Sequence, residues 1–450
     1  MLSVCTSLEG SRLVLKLNRL KDDLSEAMKG FKTVDHHDHL GSVLFKKPLG
    51  EIDLPFFFAR GYVRSDLVSS GLPQSFYKPS NGKGIWEFEN FSYLLEGKDE
   101  SERVWSQLKP YLEKVRNTTY YQYLLIALRD LYGLDSEEFG DDWKELSDKI
   151  RANSKRNPDY TLNLLETAGI HKVILDVSGT GPPSTNVVEN QLLVHVVRMD
   201  GFIVGNMKAI EGFWGNDPIR SLDEYLGVLD EAFETVVKAG AVGIKSGLAY
   251  QRIIEYREVP KHKAEEVLTN GLENASSEGR RVFQDFMMHE VCKRCGEHKL
   301  PFQIHTGIQA GNYNTIGNAD PTYLTNLLRK YPDVKFDIFH GGYPYCKEAG
   351  LLAKYFPNAY IDGCWLTHIS PSTYKDALDE WLEIVPATKV FAWGGDHVFA
   401  EHTYASLKLA RELISEVLAA KVIEGRFSMK TALWVGERIM GENAIEVYGL

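Results

Sequence analysis

The chain has 450 residues and a net charge of -11, with 44% hydrophobic and 25% charged residues. This length suits one large α/β barrel or a few smaller domains. The acidic balance and the lack of a long basic run argue against a nucleic-acid partner and an anionic membrane surface. No segment approaches the roughly 20 apolar residues of a membrane span. Five sparse cysteines, and an N-terminus without the apolar core of a signal peptide, predict a cytoplasmic protein.

Strand-like and helical patterns alternate along most of the chain. The N-terminal segment predicts an amphipathic helix. Eight strands are predicted after it, at residues 31–39, 172–178, 201–207, 241–245, 301–305, 335–340, 359–362 and 389–393. Helical patterns lie between most of them, for example at 222–239 and 321–331. Such alternation is typical of a parallel sheet, and eight units favour an α/β fold of the (β/α)8 TIM-barrel type over an open sheet.

One connection is much longer than a barrel loop. Residues 41–170 separate the first two predicted strands and are rich in aromatic side chains. Their second half, from Ser101 to Arg151, has the pattern of successive helices, and a structureless loop of this length is uncommon. We predict a single barrel domain over residues 1–450, in which a helical insertion at 41–170 caps the active-site mouth.

Metal-type side chains follow the predicted strands at the points where those strands end. They are His37, His39, Lys245, His305, His340 and Asp396. Side chains two residues apart on a strand point to the same face, so His37 and His39 can reach one ion. The carboxyl ends of barrel strands meet at one rim, where the active sites of such barrels lie. A ligand set that follows strand ends predicts a metal-dependent enzyme.

Imidazoles together with a carboxylate suit a divalent metal. Zn²⁺ is the first expectation, Mn²⁺, Fe²⁺ and Co²⁺ suit the same ligands, and either one or two ions fit the pattern. Lys245 has two interpretations. After loss of its proton and reaction with CO₂ it becomes a carbamate that bridges two metals, whereas as an ammonium it binds a substrate anion.

A second group of residues is predicted to contact the substrate. The candidates are Arg252, Asn312 and Tyr343 in barrel loops, and Arg60, Arg64 and Trp86 in the insertion. Arg252 and the nearby Arg257 are the first candidates to hold a substrate carboxylate, because the guanidinium fork matches carboxylate geometry.

The order His-x-His, Lys, His, His, Asp on strands one, four, five, six and eight resembles the amidohydrolase superfamily. The segment VDHHDHL is similar to its first-strand signature, and MGENAIEVYGL is similar to the last helix of the amidohydrolase-related branch. The segment IHTGIQAGNYN and the large insertion also resemble uronate isomerases, while the GGYPY loop is more similar to hydrolases and decarboxylases. The resemblance implies that His37, His39 and Asp396 bind a metal, and that His305 and His340 bind a second metal or the substrate.

These observations predict a metal-dependent hydrolase of a small polar amide, lactone or ester, with a substrate carboxylate as a further hypothesis. We expect Asp396 to carry a proton from water to the leaving group, and a metal or His340 to polarise the carbonyl. The alternatives are a uronate-isomerase-like reaction, a non-oxidative decarboxylation, and a barrel without catalysis that acts as a binding or scaffold protein. The expected partner is a small-molecule substrate, and a homo-oligomer is left open.

Overall fold

Eight parallel strands form one sheet in consecutive order, from β1 to β8. This computed structural model describes residues 8–40, 52–73, 98–136, 139–140, 142–156, 159–176, 190–215 and 219–450. The strands are β1 (Thr33–Asp38), β2 (Ile170–Asp176), β3 (Leu193–Arg198), β4 (Gly243–Ser246), β5 (Phe302–Ile304), β6 (Phe336–Ile338), β7 (Ala359–Asp362) and β8 (Val390–Phe391). The arrangement confirms the predicted (β/α)8 barrel.

The barrel closes where β1 meets the segment that follows β8. The backbone N–H of Asp396 donates to the carbonyl of His37 over 2.7 Å. The N–H groups of His39 and Leu40 donate to the carbonyl of His397 over 3.0 and 2.9 Å. Closure therefore takes place at the His-x-His segment, and it fixes the first and last predicted ligands of the chain side by side.

The prediction of the third strand was wrong. The strand is β3 (Leu193–Arg198), and most of the predicted segment 201–207 belongs to a short helix, Asp200–Val204. That helix ends at Gly205, whose φ of 69° places it in the left-handed region that glycine favours. Short apolar runs such as Phe202-Ile203-Val204 fit a buried strand and a buried helix equally well, and periodicity cannot separate the two.

Within the described ranges, helices surround the sheet and form most of the insertion. In chain order they are α1 (Leu8–Met28), α2 (Leu54–Arg60), α3 (Val63–Ser69), α4 (Lys98–Leu112), α5 (Thr119–Tyr132), α6 (Trp143–Arg156), α7 (Tyr160–Thr167), α8 (Asp200–Val204), α9 (Met207–Trp214), α10 (Leu222–Lys238), α11 (Lys261–Thr269), α12 (Ser277–His298), α13 (Thr325–Lys330), α14 (Cys346–Tyr355), α15 (Leu366–Ile369), α16 (Pro371–Ile384), α17 (Ala400–Ile423), α18 (Met429–Glu437) and α19 (Asn443–Tyr448). Among the described residues, no helix has the length and apolar character that a membrane crossing requires.

The barrel interior is apolar at one level and polar above it. Val34, Ile174, Val196 and Phe391, from four different strands, pack with Tyr448 of the C-terminal helix. The next inward positions toward the carboxyl ends of the strands carry acids, histidines and Lys245, all of them buried. Burying so many polar groups costs free energy unless they are paired or bind a ligand. The carboxyl end of the barrel is therefore the candidate ligand-binding site.

The insertion has its own core and also packs on the barrel. Most of its described buried apolar residues form one cluster with Ala310, Trp365 and Phe399, which follow β5, β7 and β8, while Leu164 and Leu165 pack in the barrel core. Asp53 caps α2 by accepting from the Phe56 N–H over 3.0 Å, and Arg151 of α6 donates to the same carboxylate over 2.6 Å. The insertion is thus held both internally and against the loops at the carboxyl ends of the strands.

Candidate metal centre

β1 and the loop after β8 bring three of the predicted ligands together. Oδ1 of Asp396 lies 3.1 Å from Nε2 of His39 and 3.5 Å from Nε2 of His37. Asp396 has a φ of 57°, an unusual value for a non-glycine residue that aims its side chain back at β1. Burial, followed by the charges of Lys245 and His39, holds the pKa of His37 well below its usual value, so its imidazole is neutral and can ligate.

Asp176, at the end of β2, joins this group although the sequence analysis did not select it. Its Oδ2 lies 3.7 Å from Nε2 of His37, and one ligand atom from each of His37, His39 and Asp176 falls within 4.8 Å of the others. Burial alone would raise the pKa of Asp176, but the guanidinium of Arg198, with Nη2 at 2.5 Å, lowers it below its usual value. The carboxylate is therefore charged at neutral pH.

His305 and His340 face each other at the ends of β5 and β6. Nδ1 of His305 and Nε2 of His340 are 3.1 Å apart. Each ring uses its other nitrogen to donate to a carbonyl, that of Ile308 over 2.8 Å and that of Cys364 over 3.1 Å. A neutral imidazole carries one proton, so the two facing nitrogens both present lone pairs. Burial keeps the pKa of both rings well below the usual value, so the pair stays neutral.

Both histidine groups fit a divalent metal. Two nitrogens 3.1 Å apart would subtend an angle of about 100° at an ion placed at usual metal–imidazole distances, close to tetrahedral or octahedral values. Two facing lone pairs repel each other unless a cation lies between them. The cluster of His37, His39, Asp176 and Asp396 supplies nitrogen and carboxylate donors of the type that zinc and related ions take. The residues present therefore match the donor set of a metal enzyme.

Lys245 enters the barrel from β4 and is 1% exposed. Its Nζ lies 3.3 Å from the centroid of the Phe339 ring, and no hydrogen-bond partner for it occurs among the described residues. Burial lowers the pKa of Lys245 to about 8, while the carboxylate of Asp176 acts in the opposite direction. The ammonium is thus still the main form at pH 7.

Asp38 ties the two ligand-bearing segments together. Its Oδ1 accepts from the N–H of His39 over 2.9 Å and from the N–H of His397 over 2.5 Å. Its Oδ2 accepts from the hydroxyl of Thr403 over 2.6 Å. Burial, and next the charge of Asp35, raises the pKa of Asp38 well above its ordinary value. The Asp38 side chain therefore fixes β1 against both the loop after β8 and α17.

Asp35, three residues before Asp38 on β1, also links β1 to the loop after β8. Its Oδ1 accepts from the N–H of His37 over 3.2 Å and from the N–H of Gly395 over 2.8 Å. A Cβ on Gly395 would lie 2.8 Å from a carboxylate oxygen of Asp38 and 3.0 Å from one of Asp35, so this position requires glycine. Burial raises the pKa of Asp35 to about 7.

Arg252 is engaged inside the fold. Its guanidinium donates to Asp285 over 2.5 Å, to Gln284 over 3.0 Å and to the carbonyls of Ile253 and Glu255. Arg257 also donates to Asp285, over 2.7 Å. Because these groups engage all three nitrogens of its guanidinium, Arg252 cannot offer a pair of free N–H groups to a substrate carboxylate. The prediction that Arg252 binds the substrate is therefore not supported.

The other predicted contact residues lie in different environments. Arg64 is buried on α3, and burial lowers its pKa to about 10, whereas Arg60 is exposed over the Phe56 ring. Asn312 donates to the carbonyl of Ser65 over 3.0 Å and so joins the loop after β5 to the insertion. Tyr343 is half-buried, and its N–H donates to the carbonyl of His340 over 3.0 Å. Trp86 lies outside the described residues.

Two tyrosines complete the wall of the site. The hydroxyl of Tyr62 donates to the carbonyl of Asp396 over 2.6 Å, and its ring stacks on Trp365 at 4.5 Å. The ring of Tyr250 lies 4.6 Å from that of His305, and its hydroxyl accepts from the N–H of Ala310 over 3.0 Å. Neither tyrosine follows a strand directly, so spacing in the sequence gave no signal for them.

Comparison with known proteins places this architecture in a family. The amidohydrolase family model matches residues 225–450, half of the chain. Protein fluG of Emericella nidulans is 27% identical over 234 residues, which cover 48% of this chain and 26% of that protein. The chain thus spans about a quarter of the length of this curated relative. The chain belongs to the amidohydrolase family, which confirms the resemblance seen in its strand-end residues.

Solved structures share the fold over nearly the whole chain. A uronate isomerase from Thermotoga maritima superposes with a TM-score of 0.75 at 16% identity, covering 96% of this chain and 97% of its own. A glucuronate isomerase from Caulobacter crescentus gives 0.76 at 17%, covering 96% and 94%. A Lactobacillus casei protein described as a metal-dependent hydrolase gives 0.63 at 16%, covering 95% and 97%. At these identities the likeness shows the fold alone, and the family match indicates an amidohydrolase-type enzyme.

Proposed function

We propose that this protein is a metal-dependent hydrolase of a small, polar amide, lactone or ester that carries a carboxylate. The observation that carries the proposal is the meeting of Asp396 with both histidines of the His-x-His segment, at 3.1 and 3.5 Å. Hydrolysis needs a carboxylate that touches the nucleophilic water and can move its proton. The contacts of Asp396 with both histidines support this role for its carboxylate, and the family match supports the same chemistry.

The proposed ligands are His37, His39 and Asp396, with His305 and His340 available to a second ion. A divalent metal, for which Zn²⁺ is our first candidate, supplies Lewis-acid activation of water and of the scissile carbonyl. Asp396 accepts the water proton and returns it to the leaving group. His340 cannot polarise a carbonyl as a donor, because its proton sits on Nδ1 and is given to Cys364. We therefore assign it to ligation.

We propose that the insertion roofs the pocket and that a cationic wall selects an anionic substrate. Arg198 and Lys245 enter from β3 and β4, while the buried Arg64 comes from α3 of the insertion. Tyr62 connects the same insertion to Asp396. Closing such a pocket excludes bulk water, which strengthens the attraction between the cationic side chains and a carboxylate.

The proposal is tested by metal analysis together with a substrate panel. His37→Ala should lose most of the bound metal and of the hydrolytic turnover on amides, lactones and esters of small carboxylic acids. His171→Ala is the matched control, because His171 is an exposed histidine at the start of β2. Full metal content and full turnover in His37→Ala would refute the proposed site. Metal binding without hydrolysis on any panel would refute the hydrolase assignment.

A sugar-acid isomerase is the second candidate. It is favoured by the likeness to uronate isomerases, which extends over 96% of this chain and so includes the insertion. Such a reaction moves a proton between adjacent carbons and needs no nucleophilic water. Incubation with uronates in deuterated water distinguishes the two: an isomerase incorporates solvent deuterium and forms a ketose, and a hydrolase leaves the uronate unchanged. Release of CO₂ would indicate a decarboxylase. Inactivity on the uronates and on every amide, lactone and ester would indicate a binding protein.

A further inference from the structure

Lys245 has a buried side-chain nitrogen whose hydrogen-bonding capacity is unused. Nζ is covered within the barrel and has no hydrogen-bond acceptor in the described part of the chain. An ammonium has three N–H donors, and leaving them unsatisfied in a buried site is costly. The carboxylate of Asp176 does not meet this need: Arg198 holds its Oδ2 through Nε at 2.7 Å and Nη2 at 2.5 Å, and its Oδ1 makes no hydrogen bond to Nζ. The missing acceptor is one that a ligand can supply.

Phe339 occupies the space beside the ammonium. Its ring centroid lies 3.3 Å from Nζ of Lys245. The same ring makes edge-on contacts with His37 and His340, at centroid separations of 4.9 and 5.2 Å. One aromatic ring therefore touches the lysine and a member of each histidine group at once. The ring face also attracts the cation, which partly offsets the cost of its burial.

A carbamate on Lys245 would not fit beside this ring. Carbamylation adds one carbon and two oxygens to Nζ, and a bridging carbamate must reach ions at both histidine groups. The Phe339 ring fills the space among Nζ, His37 and His340. A carbamate would also place a negative charge against the electron-rich ring face, where the ammonium is now attracted.

We infer that Lys245 is an unmodified ammonium that binds an anionic oxygen of the substrate, and that Phe339 keeps it from becoming a carbamate. This inference rests on the proposed function, since it names the group that receives the substrate anion. An ion at the facing nitrogens of His305 and His340 would then be held without a lysine bridge. Phe339 acts as a positioning residue, because it works through Lys245.

The experiment uses the metal-loaded enzyme and two readouts that do not depend on turnover. Carbon NMR after equilibration with ¹³C-bicarbonate detects a lysine carbamate, and elemental analysis gives metal per chain. Wild type should show no carbamate. Phe339→Ala should gain a bicarbonate-dependent signal that disappears in the double variant with Lys245→Met. Lys245→Met alone should keep the wild-type metal content.

Binding of the anion is measured by calorimetry with malonate as the probe. Lys245→Met should bind malonate about tenfold or more weakly, the effect of losing one charge-assisted hydrogen bond, whereas Lys245→Arg should retain much of the affinity. Lys238→Met is the control, because Lys238 lies on the exposed end of α10, with a side chain 78% exposed. Circular dichroism verifies that each variant is folded. If Lys245→Met does not fold, Lys245→Arg together with the NMR measurement still decides.

The outcomes separate this inference from the proposed function. A carbamate in wild type, metal loss in Lys245→Met, or unchanged malonate affinity would overturn the role of Lys245. Lack of a carbamate in Phe339→Ala would overturn the role of Phe339. Each of these results leaves a metal-dependent hydrolase intact. Conversely, failure of His37→Ala to lose metal would refute the proposed metal site without changing the carbamate measurement.

Discussion

Replacing Asp38 with alanine should weaken metal binding and the fold together. The Asp38 carboxyl group is fully buried and accepts from the N–H groups of His39 and His397 and from the Thr403 hydroxyl. Asp38→Ala would leave the His397 N–H without an acceptor, while the His39 N–H would keep only the carbonyl of His397 and the Thr403 hydroxyl only the carbonyl of Phe399 at 3.3 Å. One of those donors belongs to a proposed ligand and another to the residue that follows Asp396, so both ligand-bearing segments would lose a fixed point.

The expected magnitude follows from the number of donors. One buried donor left unsatisfied costs about 1 to 3 kcal/mol and two others lose their better acceptor, so we expect a loss of about 2 to 4 kcal/mol in the free energy of unfolding. Removing a group that hydrogen-bonds to a metal-binding segment typically weakens metal affinity by about 10- to 100-fold. We expect Asp38→Ala to weaken metal affinity within this range.

Asp38→Asn is the matched variant. Burial raises the pKa of Asp38 well above its usual value, which favours an uncharged side chain here, and an amide keeps the acceptor oxygen for the N–H groups of His39 and His397. We expect Asp38→Asn to lose less than about 1.5 kcal/mol and to keep most of its metal affinity. Urea unfolding and competition with a chelator measure the two effects. Equal behaviour of the two variants, or an alanine variant with wild-type stability, would refute the reasoning.

Three further substitutions test other parts of the structure. Tyr62→Phe removes the hydrogen bond to the loop after β8, so kcat/KM should fall about 2- to 10-fold with unchanged metal content. Arg252→Ala should cost about 2 kcal/mol of stability, because it removes one partner of the buried Asp285, and should leave KM unchanged; a large rise in KM would restore Arg252 as a substrate contact. Burial lowers the pKa of His402 to about 3, so the unfolded chain binds one more proton than the folded chain between about pH 6.5 and 3, and this contribution to stability is lost as pH falls. His402→Gln should therefore make the decline in stability below pH 6.5 shallower by about 1.4 kcal/mol per pH unit, and an unchanged slope would contradict the neutral state assigned to His402.

The barrel and the meeting of its ligands could be predicted because both follow from simple geometry. Strands alternate with helices along the chain, and the carboxyl ends of parallel strands converge on one rim. Residues at those ends, such as His37 and Asp396, are therefore close in space although they are far apart in the sequence. The residues next to them, Asp38 and His397, are hydrogen-bonded although they are 359 positions apart. The family match and the eight-stranded sheet confirm the barrel, and the assignment of these residues as metal ligands stays a prediction.

The remaining parts depended on information that a linear pattern does not contain. Placing the third strand at 201–207 hid Arg198, which ends the real β3, and with it the charged partner of Asp176. Arg252 was selected for its position after β4, but its ion pair depends on how the loop packs on α12, which brings Asp285 to 2.5 Å. The contact between Phe339 and Lys245 joins β4 to the turn that follows β6, and these two strands are not neighbours in the sheet, so the linear pattern does not pair the two residues.

The most direct test of the central claim is anomalous diffraction from crystals of the metal-loaded enzyme, with data collected above and below the absorption edge of the metal. The proposed metal centre predicts an anomalous peak within bonding distance of Nε2 of His37, Nε2 of His39 and a carboxylate oxygen of Asp396. We also predict an unmodified Lys245 side chain against the Phe339 ring. A peak elsewhere with Asp396 unliganded, or fully active crystals without a peak at this position, would contradict the account.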